Sequence, residues 1–154
     1  MCIRDRSKDG AGGLDAYAAY RVAGRGKGAG YQYGTLSSAS FDASGLYTAQ
    51  SVYVPAGTKV RACLSFDSQV SKHELFFGTL TWFDSVLASD LDFRAYSPTG
   101  AFLADSSSSL QPFEMLEFTA PTSGYYSFKI HKYSFGPGTE YFGTAVSLVS
   151  DKGE

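Results

Sequence analysis

A serine or cysteine nucleophile needs a histidine base and an orienting carboxylate within reach, and this sequence offers two histidines, His73 and His131. No serine stands in a strand-turn-helix nucleophile elbow. His131 falls on the polar side of an alternating segment, and the run Ser106 to Ser109 reads as a turn with no base near it in sequence. Zinc needs three or four ligands, whereas Cys63, His73 and His131 are widely scattered. The chain therefore reads as noncatalytic. Asp90 and Asp92 flank Leu91, so in a strand both carboxylates project from one face, a spacing that could chelate calcium together with loop carbonyls. The competing reading pairs Asp92 with Arg94 or a neighbouring strand and makes Asp90 a turn cap. No cofactor is required, and calcium is the one that this pair could hold. Glu114 and Glu117 are at odd spacing and cannot share a strand face, so one faces inward and needs a partner such as Arg61 or Arg94. Trp82 and Tyr31, Tyr33, Tyr125 and Tyr133 could form a platform for sugars or peptides, against the alternative that they are core or cross-strand partners.

The elements that must carry these residues follow from pattern and composition. Aromatic residues make up 16% of the 154-residue chain, charged residues 18%, and there are 17 glycines, a mix that suits short strands and tight turns. A net charge of -2 creates no field that would draw in nucleic acid or an anionic membrane, and no apolar run approaches the ~18 residues of a membrane span. Period-two alternation is plain in residues 59–66, 90–96 and 125–133, and β-branched and aromatic content adds strands at 33–37, 46–54, 101–105, 113–119 and 140–149. Turn residues at 55–57, 97–100, 121–124 and 136–138 separate them. The expected fold is all-β: an antiparallel sandwich, jelly-roll-like, of about eight strands. One short helix at residues 14–20 precedes it, with Leu14, Tyr17 and Ala18 at helical spacing, and 24–30 (GRGKGAG) reads as a glycine-rich linker. Residues 67–89 are too apolar for a bare loop and suggest a further strand or a cover over a sheet edge. Cys63 reads as a small buried residue.

Residues 1–7 (MCIRDRS) resemble the translation of a sequencing adapter and are set apart from the fold, which implies that the coding sequence continues upstream of Lys8. Gly10, Ala11, Gly12, Asp15, Ala16 and Ala19 match the pattern Gly-Ala-Gly-x-x-Asp-Ala-x-x-Ala, and the segment is similar to the last helix of subtilisin-like serine peptidase domains. Residues 52–148 resemble the pre-peptidase-like C-terminal β-sandwich of secreted bacterial peptidases. That likeness is carried by AGTKVR at 56–61, DLDFR at 90–94, SPTG at 97–100, EMLEFTA at 114–120 and SGYY at 123–126. The resemblances imply a remnant peptidase helix at 8–23, the linker at 24–30 and an accessory sandwich at 31–150. They also imply a secreted parent enzyme whose catalytic domain, upstream in the same polypeptide, is the partner. The expected role is to stabilise that enzyme or aid its contact with substrate. The alternative is a free-standing module for extracellular carbohydrate or matrix, marked by a flat exposed aromatic strip.

Overall fold

The computed structural model describes residues 16–68, 70–71 and 86–149. Among them, alternation becomes strands wherever it was read: β1 (Tyr31–Ser37), β2 (Leu46–Val54), β3 (Lys59–Phe66), β6 (Asp90–Tyr96), β7 (Phe102–Ser106), β8 (Phe113–Thr119), β9 (Gly124–Ser134) and β10 (Thr139–Val149). They form two antiparallel four-stranded sheets, ordered β1-β10-β3-β8 and β2-β9-β6-β7. The result is an all-β sandwich with a short N-terminal helix. In β3, Val60, Ala62 and Leu64 are fully enclosed while Arg61 and Ser65 are exposed; Leu91, Phe93 and Ala95 of β6 and Tyr126, Phe128 and Ile130 of β9 are sealed in the same way. Each large apolar side chain so buried contributes about 1.5–3 kcal/mol.

Within residues 67–89, β4 (Val70–Ser71) and β5 (Val86–Leu87) pair as a two-residue antiparallel ribbon. His73, the apolar runs at 75–77 and 80–83, and Trp82 lie outside the described residues. The ends of this excursion are clasped by a buried polar group. Ser89 Oγ donates to Glu140 Oε1 at 2.6 Å and accepts from Gly136 N at 3.0 Å, and Ser89 N donates to Ser68 Oγ at 2.9 Å. Tyr126, fully buried, donates its hydroxyl to Thr122 O at 2.6 Å, so the turn at 121–124 is tied to the core without an unsatisfied phenol.

Between Thr48 and Gln50 the register of β2 against β9 slips by one, a β-bulge at Ala49. Before the bulge Tyr47 faces inward and meets Phe142 at 5.6 Å between ring centres; after it Val52 and Val54 face inward and Ser51 and Tyr53 outward.

The helix α1 spans Ala16–Gly24. It runs four residues past the C-terminal end expected from sequence because Val22, not only the Tyr17 side, supplies an apolar contact, and Val22 is buried. Leu14 lies outside the described residues, and Tyr17 stands exposed. Residues 24–30 are more ordered than a glycine-rich linker requires. Arg25 Nη1 donates to Val146 O at 3.1 Å, Gly30 N to Gly26 O at 2.8 Å and Val146 N to Gly30 O at 2.7 Å. Gly26 and Gly28 turn the chain through φ of 80° and 84°, a region open to glycine at little cost.

Candidate functional site

The outer face of the β2-β9-β6-β7 sheet gathers the residues that could bind something. Register places Tyr53 opposite Tyr125, Ser51 opposite Ser127, Ser127 opposite Tyr96, and Tyr96 opposite Phe102. Tyr53 and Tyr125 meet at 5.5 Å between centroids, and Tyr96 and Phe102 at 5.9 Å, both edge-to-face. Tyr53, Tyr125 and Phe102 are 52%, 66% and 55% exposed. Four aromatic rings therefore cross the whole width of the sheet, about 14 Å at the usual strand spacing.

Further along the same face, Lys129 lies opposite Arg94, and His131 opposite Asp92. The Lys129 ammonium sits 4.9 Å from the centre of the Tyr96 ring, a cation–π contact. Asp92 Oδ2 accepts from Arg94 Nη2 at 3.2 Å and lies 2.8 Å from His131 Nδ1. Beyond these, Asp90, Asp92, Arg94, Asp105, Ser107 to Ser109 and Tyr133 line a recess of about 390 Å3.

Asp90 and Asp92 do share this face. Asp92 is nearly closed off and committed to Arg94 and His131, and among the described residues no three His, Cys, Asp or Glu side chains gather as a metal cage. The pairing of Asp92 with Arg94 is present in this arrangement. Asp90 has one buried oxygen with no hydrogen-bond partner; burial first, and the Asp92 charge second, push its carboxyl above the ordinary range.

Glu114 is the inward-facing glutamate, and its partner is neither Arg61 nor Arg94. Arg61 and Lys59 hold the outward Glu117, each at 2.6 Å, and keep its carboxyl below the ordinary range. Glu114 instead accepts from Ser106 Oγ and from Ser108 N at 2.8 Å, so a core carboxyl anchors the serine wall of the recess. A cation from β3 cannot reach it because Arg61 alternates to the opposite side of the sheet. Burial raises the Glu114 carboxyl, the two serine hydrogen bonds oppose that rise, and Asp92 and Asp90 add to it. A folded state that holds this proton above the ordinary glutamate range binds more protons than the unfolded chain. Stability from Glu114 is thus full in acid and falls as pH rises through its folded value. Replacing Glu114 with glutamine will flatten that part of the curve; urea midpoints of the two proteins between about pH 4 and 7 check it, and parallel curves would refute it.

His131 and Asp92 have the contact of a base with its orienting carboxylate, yet among the described residues no hydroxyl or thiol hydrogen-bonds to the other ring nitrogen. Sequence reasoning placed His131 on the surface; the structure makes it half-buried and paired with a carboxylate 39 positions away in the chain. The aromatic candidates divide between two faces. Tyr31 and Tyr33 stack at 6.3 Å on β1, in the other sheet, whereas Tyr125 and Tyr133 stand on β9. Tyr53, Tyr96 and Phe102 were not foreseen as binding residues, although alternation in residues 46–54 and 90–96 points Tyr53 and Tyr96 outward. Cys63 is half-buried, between Ala145 and Met115 on the outer side of β3.

No protein family and no curated protein sequence matches the chain. Among solved structures it is similar to CorA, a surface-associated copper-binding protein important in copper acquisition by Methylomicrobium album BG8. The sequence identity is 10% and the TM-score 0.49, over 78% of this chain and 93% of that one. It is also similar to PliG of Aeromonas hydrophila, a periplasmic inhibitor of g-type lysozyme, at 11% identity and a TM-score of 0.41, over 81% of this chain and 90% of that one. At this level the likeness bears on neither ligand nor activity. Among the described residues no helix is long and apolar enough to cross a membrane.

Proposed function

We propose that this chain is a noncatalytic binding domain of a secreted protein, and that it holds extracellular glycan on the outer face of the β2-β9-β6-β7 sheet. The observation that carries the reading is the strip in which exposed Tyr53, Tyr125 and Phe102 adjoin half-buried Tyr96. Tyrosine rings offer flat apolar faces to the C–H side of a sugar and a hydroxyl to its rim, and the Ser51 and Ser127 hydroxyls, 3.4 Å apart, lie between the rings. Exposed aromatic side chains that adjoin one another across a sheet form the contiguous apolar surface that marks an interaction site. Co-sedimentation with insoluble polysaccharides tests it. The native chain should pellet with at least one of them, and the Tyr53→Ala/Tyr125→Ala protein should lose about tenfold or more in affinity, since a stacked aromatic is worth about 1–3 kcal/mol. Equal retention of both proteins would sink the reading.

A second reading has its own support: the domain serves as the accessory sandwich of a subtilisin-like peptidase, with α1 the end of the catalytic domain. Tyr17 and Tyr20 are 59% and 74% exposed on that helix, an apolar surface suited to a neighbouring domain. Sequencing the unbroken genomic locus decides it; an upstream region with no peptidase domain would remove it and leave the glycan reading in place.

A further inference from the structure

We infer that the glycan held by this face carries free amines, with its sugar rings on the aromatic strip and an ammonium group in the acidic recess. The inference rests on the glycan reading above and gives it a ligand class. The two ends of the face differ in charge. Around Tyr53, Tyr125 and Phe102 the face is uncharged. In the middle, the two cations are already engaged, Arg94 by Asp92 at 3.2 Å and Lys129 by the Tyr96 ring at 4.9 Å, and His131 faces Asp92. At the far end Asp90 lines the recess, and Asp105, opposite Arg94 in register, closes its side; among the described residues no cation forms an ion pair with either. Three aspartates, Asp90, Asp92 and Asp105, thus face one cation, Arg94, around the recess beside the exposed ring of Tyr133, and an excess of carboxylates with an aromatic face is what an ammonium group seeks.

The sheet geometry selects a polymer of sugars over a basic peptide. An extended peptide gains its affinity by pairing with the free edge of a sheet, whereas the backbone groups beneath this face are spent on the β2-β9 and β9-β6 ladders. What the face has to offer is rings, serine hydroxyls and carboxylates, which complement the C–H faces, hydroxyls and amines of an aminoglycan. From Tyr125 to Tyr133 the strand covers about 26 Å, room for several sugar units.

Titration calorimetry of the full chain with the hexaose of glucosamine, its amines protonated, and with the hexaose of N-acetylglucosamine tests the inference. The free-amine sugar should bind about tenfold more tightly. Asp105→Asn, at an exposed position, and Asp90→Asn, each checked by its circular dichroism, should bring the two affinities together without weakening the acetylated sugar. Tyr53→Ala should weaken both sugars. Equal binding of the two sugars by the native chain would overturn the amine inference and leave the glycan reading standing. Binding of neither would count against the glycan reading itself. Pentalysine binding as tightly as the glucosamine hexaose would overturn the assignment to a sugar.

Discussion

Phe128→Ala will cost the domain about 3–5 kcal/mol, a large part of the ~5–15 kcal/mol by which a protein of this kind is stable. Phe128 has no exposed surface and sits in β9, an inner strand bonded to β2 on one side and β6 on the other. Its ring lies 6.1 Å from Phe93 in its own sheet and 6.3 Å from Phe118 of the facing one, so it is a point at which the two layers touch. The void left by truncation is bordered by backbone already fixed on both sides by ladder hydrogen bonds, and inward collapse is therefore small. The surrounding atoms lose dispersion contacts outright. Urea unfolding should show a much lower midpoint with an unchanged slope; a loss below about 1 kcal/mol would mean that the sheets do not meet through this ring.

Gly30→Ala will undock α1 from the sandwich. A Cβ at residue 30 would stand 1.9 Å from the Val22 carbonyl oxygen and 2.9 Å from its carbon, distances that a Cβ essentially never shows to backbone atoms. Gly30 has no freedom to retreat, since its N–H bonds Gly26 O and its carbonyl receives Val146 N. Either the end of β10 gives up that hydrogen bond or the helix lifts, and lifting releases only Val22 and the Arg25 contact with Val146. The expected cost is about 2–4 kcal/mol, paid locally. Amides of α1 should exchange at nearly free-chain rates while those of β6 and β9 stay protected. Gly28→Ala is the control: it meets nothing within 4 Å and has only its φ of 84° against it, about 1 kcal/mol. Full protection of α1 in the Gly30→Ala protein would show that the helix does not rest there.

The sandwich was legible because a strand with one buried side declares itself by alternation: the apolar residues of 59–66, 91–95 and 126–130 are sealed in the order their sequence dictates, and of the side chains between them Asp92 alone is closed off as well. The inward turn of one of Glu114 and Glu117 followed from the same arithmetic. Its partner did not, because Ser106 and Ser108 reach Glu114 through the β7–β8 connection, and a backbone N–H leaves no mark on a sequence. The candidate site was less visible still. Its aromatic strip comes from four strands whose order in the sheet, β2-β9-β6-β7, is not their order in the chain, so Tyr53 and Tyr125 become neighbours only through register. Asp92 and His131 are joined in the same way. Tyr31 and Tyr125 looked alike in sequence and stand on different sheets, since alternation tells a side chain which side of its strand to take and is silent on which sheet that strand joins.

The bulge at Ala49 has a consequence for how this surface tolerates insertion and deletion. The strand before it and the strand after it are out of phase by one residue, so the chain carries its aromatic and aliphatic residues in opposite parity on the two sides of that point. Ala49 is the residue without a partner on β9, and it and Gln50 both face inward. Deleting Ala49 leaves Tyr47 inward, Thr48 outward, Gln50 inward and Ser51 outward, an unbroken alternation, so Tyr53 stays on the ring-bearing face and Val52 and Val54 stay in the core. The strand thus carries one spare residue at this point, and a codon lost there straightens the ladder without exchanging its faces.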